Sequence, residues 1–267
     1  MRLTIRVTGA DGAVKGEAWG EDQARLVYLL PYAEGDAIRL SADGPGFVVA
    51  RLEDSLPETP AYLSGGFALP VPFGEKRVCY SPKCFAGDTH LLCSRAMTPR
   101  EHGAYRNLAF NPLDHHGNTA LFPHASANVE TRGESVFAAR NAINGNTTSA
   151  GHGPWPYESW GINRRDDAEL RVDFGRLVRL DRLVITLRAD FPHDNWWTRA
   201  DLRFSDGSTF RPHFVKSGLS QIFDIPPRTV ARVTMSGMVK DESDPSPFPA
   251  LTQIECWGHE VIPRQPC

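Results

Sequence analysis

Long apolar runs are absent from this 267-residue sequence. None approaches the roughly 20 residues that span a bilayer, so no membrane partner is expected. An excess of basic charge is absent too. The formal charge of −3 leaves no positive field for nucleic acid. Cysteine is scarce and odd in number: Cys79, Cys84, Cys93, Cys256 and Cys267. The amino-terminal MRLTIRVTGADG lacks the h-region and cleavage site of a signal peptide. Free thiols are therefore expected rather than a disulfide framework, and Cys79 and Cys84 are spaced too loosely for a tight zinc pair. These features predict a cytoplasmic protein, or a secreted one whose leader lies outside the sequence. Helical periodicity is also missing, while 23 Gly and 21 Pro punctuate the chain as a protein of many strands and turns requires.

What remains is a β pattern. Hydrophobic residues make up 41% and charged residues 23%, as in a globular protein with room for one large or two ordinary domains. Leu3, Ile5 and Val7 alternate with Arg2, Thr4 and Arg6, the signature of a half-buried strand. Further apolar runs at 24–30, 37–40 and 47–52 are separated by the turn sequences YAEGD and ADGPG. Residues 1–90 are thus expected to form an N-terminal β-sandwich. The segment 91–123 reads as a connector, with a short helix starting at Thr98, where Pro99 would take the first helical position and Glu101 the first turn. Residues 124–267 form a second β-rich unit, with strands expected at 170–174, 180–187, 200–204, 221–225, 230–235 and 253–258.

The stretch 138–163, AARNAINGNTTSAGHGPWPYESWGIN, interrupts this pattern. Four glycines and two prolines exclude a regular element, yet two tryptophans and a tyrosine need something to pack against. It reads as a long ordered loop, either a plug closing one end of a sandwich or a metal-braced loop carrying part of a ligand site.

Three segments of the second unit resemble, in the right order, the discoidin-like (coagulation-factor C-terminal type) modules. These are galactose-binding-like jelly rolls, many of them carbohydrate-binding modules of bacterial enzymes. The opening, ASANVETRGESVFAARNAINGNTTS, carries Ala138, Ala139, Asn144, Gly145, Asn146, Thr147, Thr148 and Ser149 where the family has an alanine-rich stretch, an Asx-Gly-Asn turn and a hydroxyl. Residues 167–185 resemble the family's strand, Asp-x-Gly turn and following strand. Residues 250–258, ALTQIECWG, resemble its final strand with a glutamate. The resemblance covers roughly residues 124 to 260 and implies an all-β protein of two β-sandwich domains, the C-terminal one a jelly roll. It also implies a structural calcium held by Asn144, Asn146, a hydroxyl of Thr148 or Ser149, and Glu255. Asn144 stands where an aspartate often sits, which lowers the charge of that cage. The alternative is that Asn144-Gly145 is only a tight turn with the asparagine left-handed.

If the fold is that jelly roll, the loops 152–163 and 188–197 lie at one end, with 241–249 a third candidate. Sugars are held by an aromatic face against the C–H side of the ring and planar polar groups around the hydroxyls. Trp155, Trp160, Trp196 and Trp197 are candidate platforms, joined by Phe248. Candidate hydrogen-bonding groups are His152, Glu158, Asn163, Arg188, His193, Asp194 and Asn195. Trp160 and one of Trp196 and Trp197 are equally readable as buried anchors. The pattern points to a carbohydrate-binding protein that requires no cofactor, the calcium being a structural ion that only the resemblance implies. Two other readings use the same loops. One is an intracellular glycosidase or lyase with His152–Glu158 or His193–Asp194 as acid and base. The other is a protein-interaction module.

Overall fold

The computed structural model describes residues 1–189 and 195–261. The chain is all-β, as the sequence predicts, and builds two β-sandwiches. In the first, β1 (Arg2–Thr8), β2 (Val14–Glu21), β3 (Gln23–Tyr28), β4 (Ala37–Ala42), β5 (Gly46–Arg51), β6 (Thr59–Leu63), β7 (Phe67–Pro70) and β8 (His90–Ala96) form two sheets. One has the order β2-β1-β4-β7, the other contains β6-β5-β8-β3. The alternation in β1 does what its pattern implies: Leu3, Ile5 and Val7 are fully buried against Ile38, Leu40, Val48, Ala61 and Leu92. Burial of such side chains stabilises by about 1.5–3 kcal/mol each and dominates the sandwich.

The stretch 91–123 is built into both cores. Strand β8 runs through Ala96 and pairs with β3 and β5. The helix α1 (Pro99–His102) starts as expected, with Thr98 as N-cap and a reciprocal capping box to Glu101. A short strand β9 (Arg106–Asn107) joins β17 of the second sheet, whereas β10 (Leu121–Phe122) pairs with β6 of the first. The chain crosses between sandwiches just after the Phe122–Pro123 cis bond. Buried Arg140 locks the junction: its guanidinium donates to the carbonyls of Asp114 and Pro112 and lies 4.4 Å over the Tyr80 ring.

The second sandwich comprises β11 (His124–Ala127), β12 (Trp160–Gly161), β13 (Leu170–Arg188), β14 (Trp197–Phe204), β15 (Thr209–Phe210), β16 (Gln221–Lys240) and β17 (Ala250–Glu260), in the order β12-β17-β13-β16-β14-β15 with β11 on β13. Two expected strand pairs are each one long bent strand. The Asp-x-Gly turn at Asp173-Phe174-Gly175 is a break of register inside β13, between the pairings of Asp173 and Val178. Gly175 there has φ +66°, and an added Cβ would lie 2.4 Å from the Phe122 ring. The bends let β13 and β16 serve both layers of the sandwich around one core that includes Phe174, Leu183, Ile185, Val233 and Ile254. No helix among the described residues is long and apolar enough to cross a membrane.

Candidate functional site

The loop 138–163 is braced by hydrogen bonds. Ala139–Ile143 forms a 3-10 turn that ends on Asn144 in right-handed conformation. The left-handed residue of the turn is Gly145 (φ +87°), not Asn144. Only glycine fits there, since a Cβ would meet the Phe110 ring at 2.4 Å. Gln253 of β17 ties this turn down, donating to the Ala142 carbonyl (2.5 Å) and accepting the Gly145 amide (3.0 Å). Below it, Asn144 and Asn146 both donate their side-chain N–H to Glu158 Oε1, at 2.8 and 3.2 Å. Their own oxygens accept the amides of Asn146 and Thr148, two successive Asx turns.

This arrangement does not fit the calcium cage that the resemblance implies. Calcium takes six to eight oxygens, but the two asparagines turn N–H toward the carboxylate. Asn146 is held so by a further bond to the Pro156 carbonyl. Glu255 is not at the site; it accepts Trp257 Nε1 at 2.7 Å on β17. Ser149 Oγ donates to the Gly218 carbonyl. Glu158 Oε2 is buried and makes no hydrogen bond, which leaves a single carboxylate, and no group of three metal-binding side chains occurs among the described residues.

Strand register gathers the candidate binding residues. Ala250, the first residue of β17, is the partner of Gly161 on β12 and of Arg188 on β13. Three chain segments therefore meet at one end of the sandwich. A pocket of about 190 Å³ opens there, floored by Phe137, Ile162, Pro247, Phe248 and Pro249 and ringed by Thr131, Arg132, His152, Asn163, Arg164 and Arg188. Arg188 is buried and donates to the Phe248 carbonyl at 2.9 Å. The Asn163 amide donates to Thr131 Oγ1 at 3.0 Å. Arg164 stacks its guanidinium 4.5 Å above the Phe248 ring. Pro247 and Phe248 also line a neighbouring open groove with Trp196, Lys216, Ser243 and Asp244. In it the Lys216 ammonium sits 5.1 Å over the Trp196 ring and pairs with Asp244 at 3.2 Å.

The pocket concentrates backbone strain. Arg132, Asn163 and Arg164 have φ of 54°, 49° and 62°, and the other left-handed non-glycine residues described are Asp22 and Phe85. Such conformations cost of order 1 kcal/mol or more and cluster where geometry serves a site.

The sequence candidates thus separate. His152, Asn163, Arg188 and Phe248 line the pocket, and Trp196 the groove. Trp160 and Trp197 are buried anchors, their rings 6.2 Å apart, with Trp160 Nε1 donating to the Val129 carbonyl. Asn195 is fully buried, its Nδ2 donating to the carbonyls of Asp241, Asp244 and Ser246. It tethers the loop that carries Phe248. Trp155 is 43% exposed but lines neither cavity, and its amide donates to the Val78 carbonyl of the first sandwich. Glu158 is the buried acceptor of Asn144 and Asn146, so no His152–Glu158 acid–base pair is assembled in the pocket. His193 and Asp194 lie outside the described residues. Thr131, Arg132 and Arg164 carry no sequence signal beyond their place beside the candidate loops.

No protein-family model matches the sequence, and neither does any curated protein. Among solved structures, the chain is similar to chitosan-binding module 1 of a chitosanase/glucanase from Paenibacillus sp. IK-5, at 18% identity and TM-score 0.38, over 57% of this chain and 99% of that one. It is similar to the family 32 carbohydrate-binding module of C. perfringens NanJ in complex with galactose, at 17% identity and TM-score 0.38, over 50% and 91%. A fucose-binding module of Streptococcus pneumoniae matches at 14% identity and TM-score 0.40, over 58% and 99%. At such identity a fold in common says nothing about which residues bind.

Proposed function

We propose that the protein binds a saccharide in the pocket centred on Ala250, with the Trp196 groove extending the site to neighbouring sugar units. One observation carries this reading. An apolar floor containing Phe248 is surrounded by hydrogen-bonding side chains from separate loops, where β17 sets Gly161 and Arg188 level with Ala250. That is the combination a sugar ring requires, an apolar surface for its C–H face and directed polar groups for its edge. Phe248 is 40% exposed and accessible to ligand.

The test is titration calorimetry across a panel of mono- and disaccharides, repeated with two variants. Phe248→Ala should weaken binding about tenfold, roughly 1.4 kcal/mol, by removing part of the apolar floor. Trp155→Ala should leave affinity unchanged, because Trp155 lines neither cavity. Equal losses in both variants, or no binding of any panel member at millimolar concentration, would overturn the proposal.

A further inference from the structure

The pocket's hydrogen-bonding chemistry is lopsided. A neutral sugar presents hydroxyls, which both donate and accept, and a site for it needs acceptors as well as donors. Arginine has five N–H donors and no acceptor. Arg132, Arg164 and Arg188 all line the pocket with His152, and none of its described lining residues is Asp or Glu. Among the described residues the side-chain oxygen acceptors of the lining are Thr131 Oγ1, which already receives the Asn163 amide, and the Asn163 amide oxygen.

The three arginines are not equivalent. Arg132 is paired with Glu134 through two hydrogen bonds, at 2.5 and 2.8 Å. Arg188 is buried and engaged with the Phe248 carbonyl. Arg164 makes no ion pair among the described residues. It is exposed at the rim and rests its flat face on Phe248. Stacking occupies the face of a guanidinium and leaves its N–H edge open for an in-plane partner. Asn163 and Arg164, both with left-handed backbone, belong to the lining of the pocket.

We infer that the ligand is an acidic saccharide, a sugar bearing a carboxylate or sulfate, whose anionic group is held by the Arg164 guanidinium while its ring lies on the apolar floor. The inference rests on the saccharide reading above and specifies the class of sugar. Two oxygens of a carboxylate or of a sulfate ester match the guanidinium fork, and a charge-assisted pair is about twice as strong as a neutral hydrogen bond.

Calorimetry with matched pairs of sugars tests this. The probes are methyl glucuronide against methyl glucoside, methyl galacturonide against methyl galactoside, and N-acetylglucosamine 6-sulfate against N-acetylglucosamine, with sodium acetate and sodium sulfate as bare anions. At least one acidic member should bind about tenfold or more tighter than its neutral partner, and the preference should decline with added salt. Arg164→Asn, a change that suits a left-handed backbone, should bring the acidic-to-neutral ratio close to one with the melting temperature retained. Arg164→Lys, which keeps charge but loses the fork, should keep only part of it. Equal affinity for acidic and neutral members overturns the inference and leaves the saccharide proposal standing. Acetate or sulfate binding as tightly as the acidic sugars overturns it as well, since the ring would then contribute nothing. If no sugar binds, the saccharide proposal fails and the inference with it.

Discussion

Replacing Asn195 by Asp exchanges one NH2 group for an oxygen at constant shape, yet it should damage the protein more than truncation to Ala. Nδ2 of Asn195 lies 3.1, 2.9 and 2.8 Å from the carbonyl oxygens of Asp241, Asp244 and Ser246, and Oδ1 accepts the Trp196 amide at 2.6 Å. The side chain is fully buried. Two N–H hydrogens serve three carbonyls, so one bond is shared. In Asn195→Ala the carbonyls lose their donor. An unsatisfied buried polar group costs about 1–3 kcal/mol, and water can reach a loop whose Glu242 and Ser243 are exposed. A loss of about 2–4 kcal/mol follows.

Asn195→Asp adds electrostatics to the same loss. The introduced carboxylate would face three carbonyl oxygens without a donor between them, at a position where the side chain is fully buried. Burying an unpaired carboxylate costs several kcal/mol, and the group takes up a proton instead. Its folded-state pKa would be raised, so the folded protein binds the extra proton and the penalty shrinks as pH falls through that value. Denaturant unfolding of wild type and both variants at pH 7 and pH 5 measures this. Separate probes for the two sandwiches establish whether one transition suffices. The expected order at pH 7 is wild type, then Ala, then Asp, with the Asp variant recovering at pH 5. An Asp variant as stable as Ala at pH 7, or one indifferent to pH, would show that Asn195 does not clamp the loop by donation.

Two further expectations follow from buried polar groups. Burial depresses the His124 pKa, but the hydrogen bond and charge of Asp114 outweigh it and hold the folded-state value above 6.5. A raised value contributes stability that is complete below pH 6.5 and lost as pH rises through the folded-state pKa. The stability gap between wild type and His124→Gln should therefore narrow with rising pH, and a gap constant from pH 5 to 9 would refute the pairing. Glu158→Ala should cost about 2–4 kcal/mol by orphaning the Asn144 and Asn146 amides, whereas Glu158→Gln keeps an acceptor and should cost less than about 1 kcal/mol. In wild type, exchanging excess calcium for chelator should move the melting temperature little; a rise of several degrees with calcium would refute the hydrogen-bonded brace.

Legibility in the sequence followed the range of the interactions. Local patterns were readable: the alternation of Leu3, Ile5 and Val7 and the helix start at Thr98, with Pro99 first and Glu101 in the first turn, depend on neighbours two or three residues away. Bends inside strands were not, because Asp173-Phe174-Gly175 and Pro226-Pro227 carry turn chemistry whether a strand ends or merely kinks. The tryptophans were equivalent on paper. Trp160 and Trp197 are buried because their rings meet across 37 positions of sequence (197 − 160), a contact that no local pattern encodes. The side chains of the implied calcium cage point elsewhere for a related reason. Residue type supplied oxygen atoms, but the direction of each asparagine amide was set by Pro156 and by the amides of Asn146 and Thr148.

The pocket shows the same dependence at the level of strand register. Its walls come from 131–132, 161–164, 188 and 247–250, segments that share no periodicity. They converge because β17 slips by one position against β13, where Thr186 faces Gln253 but Leu187 faces Leu251. Thr252 is left over at this irregularity. A one-residue change of register exchanges the two faces of a strand. The slip therefore lets Gln253 reach under the 138–163 loop to Ala142 and Gly145 while Ala250 stays level with Gly161 and Arg188. Without it, either the loop brace or the pocket floor would face the wrong way. The two halves of the site, the braced loop and the Phe248 wall, are thus coupled through residues 250–253 at the start of one strand.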